Sequence, residues 1–225
     1  MTSTTHSKRF NLSADQQLCL AYAQEAARRP LTALFAVDQH LERIALGSRE
    51  PMVARIKLAW WREQGFARGV GDLSLELAVL SAVSEQSVPL LCRIVEVWDA
   101  LLAADDDPGF AFEDYAQGRG TAVFELAALL TGMKLTSNQA KIGVAWALAD
   151  LSIKLSDPDL APRLEDEAVR RFNGSNASAL KALPLPLGIL AILARSDATR
   201  RAGNRWRAGS PMRIGRAALF ALTRV

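Results

Sequence analysis

Apolar residues recur at intervals of three and four along most of this 225-residue chain and seldom alternate. That period belongs to α-helices with one buried face rather than to strands. The dominance of alanine and leucine and the shortness of β-branched runs agree with it. The pattern predicts helices over 30–45, 49–68, 73–84, 88–104, 112–132, 137–155, 165–172 and 211–224, and one over 177–201 interrupted at Pro184 and Pro186. In the first, Leu34, Val37, Leu41 and Ile44 form one stripe facing a core. In the second, Pro51 sits near the first turn, where a missing amide donor costs little. Met52, Ile56, Ala59 and Trp60 form its apolar stripe, and the glycines of 69–71 close it. Ser137 is the expected cap of the helix that follows it. An acidic break covers 105–109, Asp157-Pro158 opens a loop, and 173–176 reads as a turn. There is no internal repeat and no long low-complexity linker. The chain reads as one all-α domain over 1–225, a helical bundle of eight or nine helices, with its core in 12–200 and a basic helical tail over 201–225.

Composition narrows the class. With 50% hydrophobic and 23% charged residues, the chain is too apolar to be disordered. Cys19 and Cys92 are the only cysteines and His6 and His40 the only histidines, so neither a disulfide scaffold nor a structural zinc site is expected. The start, MTSTTHSKRF, lacks the apolar run of a secretory signal. The most lipid-like stretch, 183–194, is far shorter than the roughly 20 residues of a membrane span. A soluble, cytoplasmic protein is the expectation.

Charge changes the picture at one end. Residues 195–225 carry eight arginines, no lysine and one acid, Asp197, a balance of +7, whereas residues 1–194 stand at −4. Such an end either solvates a last helix and pairs with acids on the body or meets something anionic. Within 211–225, Ile214, Ala218, Ala221, Leu222 and Val225 gather on one side and Arg213, Arg216 and Arg224 on another. That helix either docks on the body or lies on a membrane surface, peripherally at an inner membrane. Nucleic acid is not expected, because Trp206 is the only aromatic platform among those arginines and no reading motif is present.

Two helical faces could carry chemistry by spacing alone. Asp38 and Glu42 are four apart and share a face, placed to grip a divalent cation. Arg55 and Arg62, seven apart on the next helix, suit a diphosphate, or would pair with those same acids across a helix contact. Trp60 and Trp61 point about 100° apart, so one belongs to the core and the other to a cavity or helix crossing. His40 reads as a surface residue.

Three segments carry a resemblance. ALFAVDQHLERIALGSREPMVARIKLAWWRE over 33–63 resembles the squalene/phytoene synthase family, in particular its divergent branch, which includes a mitochondrial complex I assembly factor. EDYAQGRGTAVFELAALL over 113–130 resembles the family's tyrosine- and glycine-bearing helix, and IGVAWALADLSIKLSD over 142–157 the helix of its second acidic motif. The resemblance implies an all-α bundle of the isoprenoid-synthase type. In active members it implies Mg²⁺ held by two aspartate-rich motifs, with transfer between two prenyl diphosphates in a water-excluding tunnel.

This chain departs from that pattern. The resemblance sets Glu42, Arg43 and Leu46 on the first motif, and Asp150 and Lys154 on the second; Gly120 is followed by Thr121. A cation at a metal-ligand position opposes Mg²⁺. Candidate metal ligands are therefore the degenerate set Asp38, Glu42, Asp150 and Asp157, and candidate diphosphate- or ligand-binding residues are Arg43, Arg55, Arg62, Lys154, Trp61 and Tyr115. The expectation is a non-catalytic or weakly catalytic member that binds a prenyl or lipid-like ligand or a respiratory-membrane protein client. The alternative is an active Mg²⁺-dependent prenyltransferase making C30 or C40 isoprenoids.

Overall fold

The computed structural model describes residues 10, 12–68, 73–83, 85–103 and 108–224, which form helices and no strand. In chain order these are α1 (Ala14–Ala21), α2 (Glu25–Gly47), α3 (Pro51–Trp60), α4 (Ser74–Val83), α5 (Ser87–Ala103), α6 (Pro108–Leu130), α7 (Ser137–Lys154), α8 (Leu160–Gly174), α9 (Ala177–Lys181), α10 (Leu185–Asn204) and α11 (Pro211–Thr223). The all-α expectation holds among the described residues; α1 was not predicted, and α2 and α8 run longer than the pattern predicted. The predicted stop at 69–71, residues 105–107 of the acidic break, the first nine residues and Val225 lie outside the described residues.

α7 is the axis of the bundle. Ile142 through Ala149, Leu151 and Ser152 are all buried, so the helix is covered on every side. α6, α8 and α10 pack around it, and α5 packs on α6. One core runs from Leu12 to Phe220. The α6–α7 crossing is set by two glycines. A Cβ on Gly120 would lie 2.4 Å from the Gly143 carbonyl oxygen, and one on Gly143 would lie 2.5 Å from that of Gly120. The two backbones touch there, and the side chains on either flank, Arg119 on α6 and Trp146 and Asp150 on α7, are drawn together as a result.

Several boundaries differ from the pattern. α2 begins at Glu25 and carries Pro30 inside it. The missing proline amide leaves the carbonyl of Ala26 without its helical donor, but the helix continues on its buried face from Ala27 through Ala45. α7 is capped by Thr136 rather than Ser137, in a reciprocal box with Gln139. The 173–176 turn is shorter than expected: α8 runs through Gly174, and Asn176 caps α9. Pro184 ends the α9 connection and Pro186 sits in the first turn of α10, so both prolines act at one break.

The largest correction concerns α3. Its stripe of Met52 and Ile56 faces outward, each 63% exposed, with Trp60 half-buried. Ala54, Leu58 and Trp61 are the residues turned into the core. Beyond Trp60 the helix widens into a π turn, Trp61–Gly65. Gly65 is required there, because a Cβ would meet the Trp61 ring at 2.5 Å and the Trp60 ring at 2.8 Å.

Candidate functional site

Three helices each contribute two side chains one turn apart to one place in the interior. α2 supplies Asp38 and Glu42, α6 supplies Tyr115 and Arg119, and α7 supplies Asp150 and Lys154. The i, i+4 spacing puts both members of each pair on the same face. The Gly120–Gly143 contact brings the α6 and α7 faces together, and α2 covers them.

Arg119 is the hub, fully buried at 1% exposure. Its Nε and Nη2 donate to the two oxygens of Asp38 at 3.0 and 2.8 Å, a bidentate fork. Its Nη1 donates to Tyr115 Oη at 2.9 Å and to Asp150 Oδ2 at 2.6 Å, and Nη2 lies 3.7 Å from Glu42. The guanidinium carbon is 4.6 Å from the ring centroid of Trp146, with the Trp98 and Tyr115 rings at 5.6 and 5.8 Å. An arginine in such a cage keeps its charge through three carboxylates and aromatic faces, in a place where an unpaired charge would cost several kcal/mol (roughly).

Lys154 closes the cluster from the more open side. Its Nζ donates to Glu42 and, at 2.6 Å, to Asp150 Oδ2, while its own side chain is 25% exposed. Three carboxylates thus meet two cations, with one negative charge in excess. Burial pushes the Asp150 carboxyl up, but Lys154 and Arg119 outweigh it and hold it at about 2. Burial leaves Glu42 raised from its ordinary value, because Lys154 only partly opposes it and the Asp150 charge adds to it. Burial likewise raises Tyr115, and Arg119 stays far above its ordinary value because Asp38 and Asp150 overcome the cost of burial. Asp150, with two cationic partners, is the anchored carboxylate; Glu42 carries the strain.

The donor set does not fit Mg²⁺. Each of the three carboxylates already accepts a hydrogen bond from Arg119 or Lys154, and those two cations stand where an ion bridging α2 and α7 would have to sit. Among the described residues no group of three or more acids, cysteines or histidines is arranged to hold a metal.

The remaining sequence candidates lie elsewhere. Arg43 is exposed and its Nε reaches the carbonyl of Gln39 at 3.4 Å. Arg55 pairs with Asp99 on α5 at 2.8 Å, and Arg62 stands 3.9 Å from its neighbour Glu63, so neither meets Asp38 or Glu42. Trp61 is buried against His40 and Phe66, with centroids at 5.1 and 5.4 Å. His40 is half-buried rather than on the surface, and burial followed by the Arg43 charge lowers its pKa. Asp157 is exposed past the end of α7 and accepts from the amides of Asp159 and Leu160 at 2.8 and 3.0 Å, starting α8. Those backbone donors lower its carboxyl.

Arg119, Trp98 and Trp146 escaped the sequence reading. Arg119 lies on the stripe of Tyr115, Ala122 and Leu126, all buried. A lone arginine inside an otherwise apolar stripe was the available signal. A second buried arginine was missed as well. Arg213 of α11 grips Asp197 of α10 with Nη1 at 2.6 Å and Nη2 at 2.8 Å, and Asp15 of α1 through Nε at 2.8 Å and Nη2. A cavity of about 50 Å³ lies between the hubs, touching Trp146 and Asp150 on one side and Asp15 and Asp197 on the other.

No protein-family model, no curated protein and no solved structure matches this chain.

Proposed function

We propose that the protein is a divergent, non-catalytic relative of the squalene/phytoene synthases, with a bundle of the isoprenoid-synthase type, that acts by binding a lipid-like ligand or a membrane-protein client. One observation carries this reading. The acids that the resemblance would set around Mg²⁺, Glu42 and Asp150, converge with Asp38 from α2 and α7, but Arg119 and Lys154 already pair with all three. Ionisation of an allylic diphosphate places charge on the leaving group, and that step needs cations free to receive it. Here the guanidinium of Arg119 has its donors committed to Asp38, Tyr115 and Asp150.

The test is diphosphate release from farnesyl or geranylgeranyl diphosphate with Mg²⁺ and NADPH, with lipid extracts assayed for C30 and C40 products. The expected result is no release over hours from folded protein. Turnover that falls when Glu42→Ala or Asp150→Ala is introduced would overturn the reading and restore a prenyltransferase.

A further inference from the structure

α11 is docked the opposite way round from a helix that hides its apolar side. Arg213, Ala217 and Phe220 face the body and are buried, with Phe220 seated over Gly188 of α10. At about 100° per residue, the opposite half of the helix carries Pro211, Met212, Ile214, Gly215, Ala218, Leu219 and Leu222, with no charged residue among them. Met212 is 63% exposed, Leu219 61% and Leu222 78%. Three large apolar side chains on one exposed half-helix form a patch of the kind that soluble surfaces rarely present without a partner.

Cations border this patch. Arg216 is next to the Met212 edge of the helix, and it lies near Arg200 and Arg195 of α10: after burial, their charges are what lower its guanidinium from the ordinary value. Arg200 is exposed and its guanidinium carbon stacks 3.9 Å over the Trp206 ring. No acid among the described residues forms an ion pair with Arg200 or Arg216, in contrast to Arg205, which pairs with Glu165, and Arg213. An apolar strip bordered by unpaired arginines and a half-buried tryptophan matches the acyl–headgroup boundary of an anionic bilayer, where the strip enters and the cations stay with the phosphates. A neutral apolar partner would gain nothing from those charges.

We propose that α11 docks the protein on an anionic lipid surface, with Met212, Leu219 and Leu222 entering the interface and Arg200 and Arg216 bordering it. The inference goes beyond the function proposed above and does not depend on it, since a prenyltransferase could dock in the same way. Among the described residues no helix is long and apolar enough to cross a membrane, so the contact is a surface one.

The experiment is flotation of the full chain with vesicles of neutral phosphatidylcholine and with the same lipid containing phosphatidylglycerol. Binding is expected only to the anionic vesicles and is expected to weaken as salt is raised. Leu222→Asp should lower partitioning at least about tenfold, since it places a charge where an apolar side chain entered. Each arginine lost in Arg200→Gln and Arg216→Gln should lower it about fivefold. Among the described residues neither side chain makes an ion pair, so unchanged thermal melts are expected and separate lipid binding from unfolding. Equal binding to both vesicle types, no binding to either, or a dimer that Leu222→Asp converts to monomer would each overturn the proposal.

Discussion

Among the described residues two arginines are buried, each gripping carboxylates from other helices, and they are built differently. Arg213 joins α1, α10 and α11, elements at the two ends of the chain, and Asp15 and Asp197 have no second cation among the described residues. It is a clasp. Arg119 sits at the junction of α2, α6 and α7, surrounded by aromatic rings, and shares its acids with the partly exposed Lys154. Each cluster has one negative charge in excess, yet only the inner one includes a second cation, Lys154, which is 25% exposed. The clasp is the kind of buried ion cluster that well-packed apolar residues of similar volume can replace with little loss of stability. The inner cluster is built differently, because its arginine is enclosed by three carboxylates and three aromatic rings where three helices meet.

The sharpest way to break this comparison is to remove each arginine in turn. Arg119→Met leaves three carboxylates in the interior with Lys154 alone, and should cost about 5 kcal/mol, the upper end for a broken buried pair. For a chain of this length that is a fall in Tm of roughly 10–20 °C by calorimetry. Adding Asp38→Leu to the same protein should recover part of the loss, because it removes the most deeply buried of the stranded charges. No recovery would mean that Arg119 acts through packing against Trp146 rather than through charge.

Arg213→Met should cost less, about 3 kcal/mol, since Asp15 is a quarter exposed and can turn to water. Its distinguishing sign is local. Amide hydrogen exchange should quicken in α1 and α11 while α7 stays protected. Loss of protection throughout α7 would show that the clasp and the inner cluster form one cooperative unit, joined across the small cavity between Trp146 and Asp197.

What the chain discloses in advance is its local geometry. The period of three and four yields the helices, and the four-residue spacings Asp38–Glu42 and Asp150–Lys154 already state which side chains share a face. The pairing between faces is not disclosed, because Arg119 and Asp38 are 81 residues apart and nothing local links them. α3 shows a second limit. It carries two apolar stripes, Met52–Ile56–Trp60 and Ala54–Leu58–Trp61, and only packing against α2 and α5 decides that the second is buried. α1 was missed since eight residues span only about two turns, too few to register a period, although Ser13 and Gln16 form a full capping box at its start. Arg119 was missed for a related reason: assigning buried faces by apolar residues alone treats a charge on such a face as its edge.

The finest test separates the two acids that share Lys154, and it predicts opposite responses to pH. Asp150 is depressed from 3.8 to about 2, so between those values the unfolded chain takes up a proton that the folded protein refuses. Its contribution is complete above pH 3.8 and disappears as the pH falls to about 2, and over that window it amounts to about 2 kcal/mol. Asp150→Asn should therefore be less stable than the parent at neutral pH by about that much, with the gap closing through the acid range. Glu42 is raised above 4.5, so the folded protein keeps a proton that the unfolded chain has released, and ionising it costs stability as the pH climbs. Glu42→Gln should match the parent at low pH and gain on it as the pH rises past 4.5. Urea titrations at a series of pH values would read both slopes. If the two variants instead shift in the same direction, Lys154 is held equally by both acids, and the cluster has no weak side from which its lysine could be drawn away.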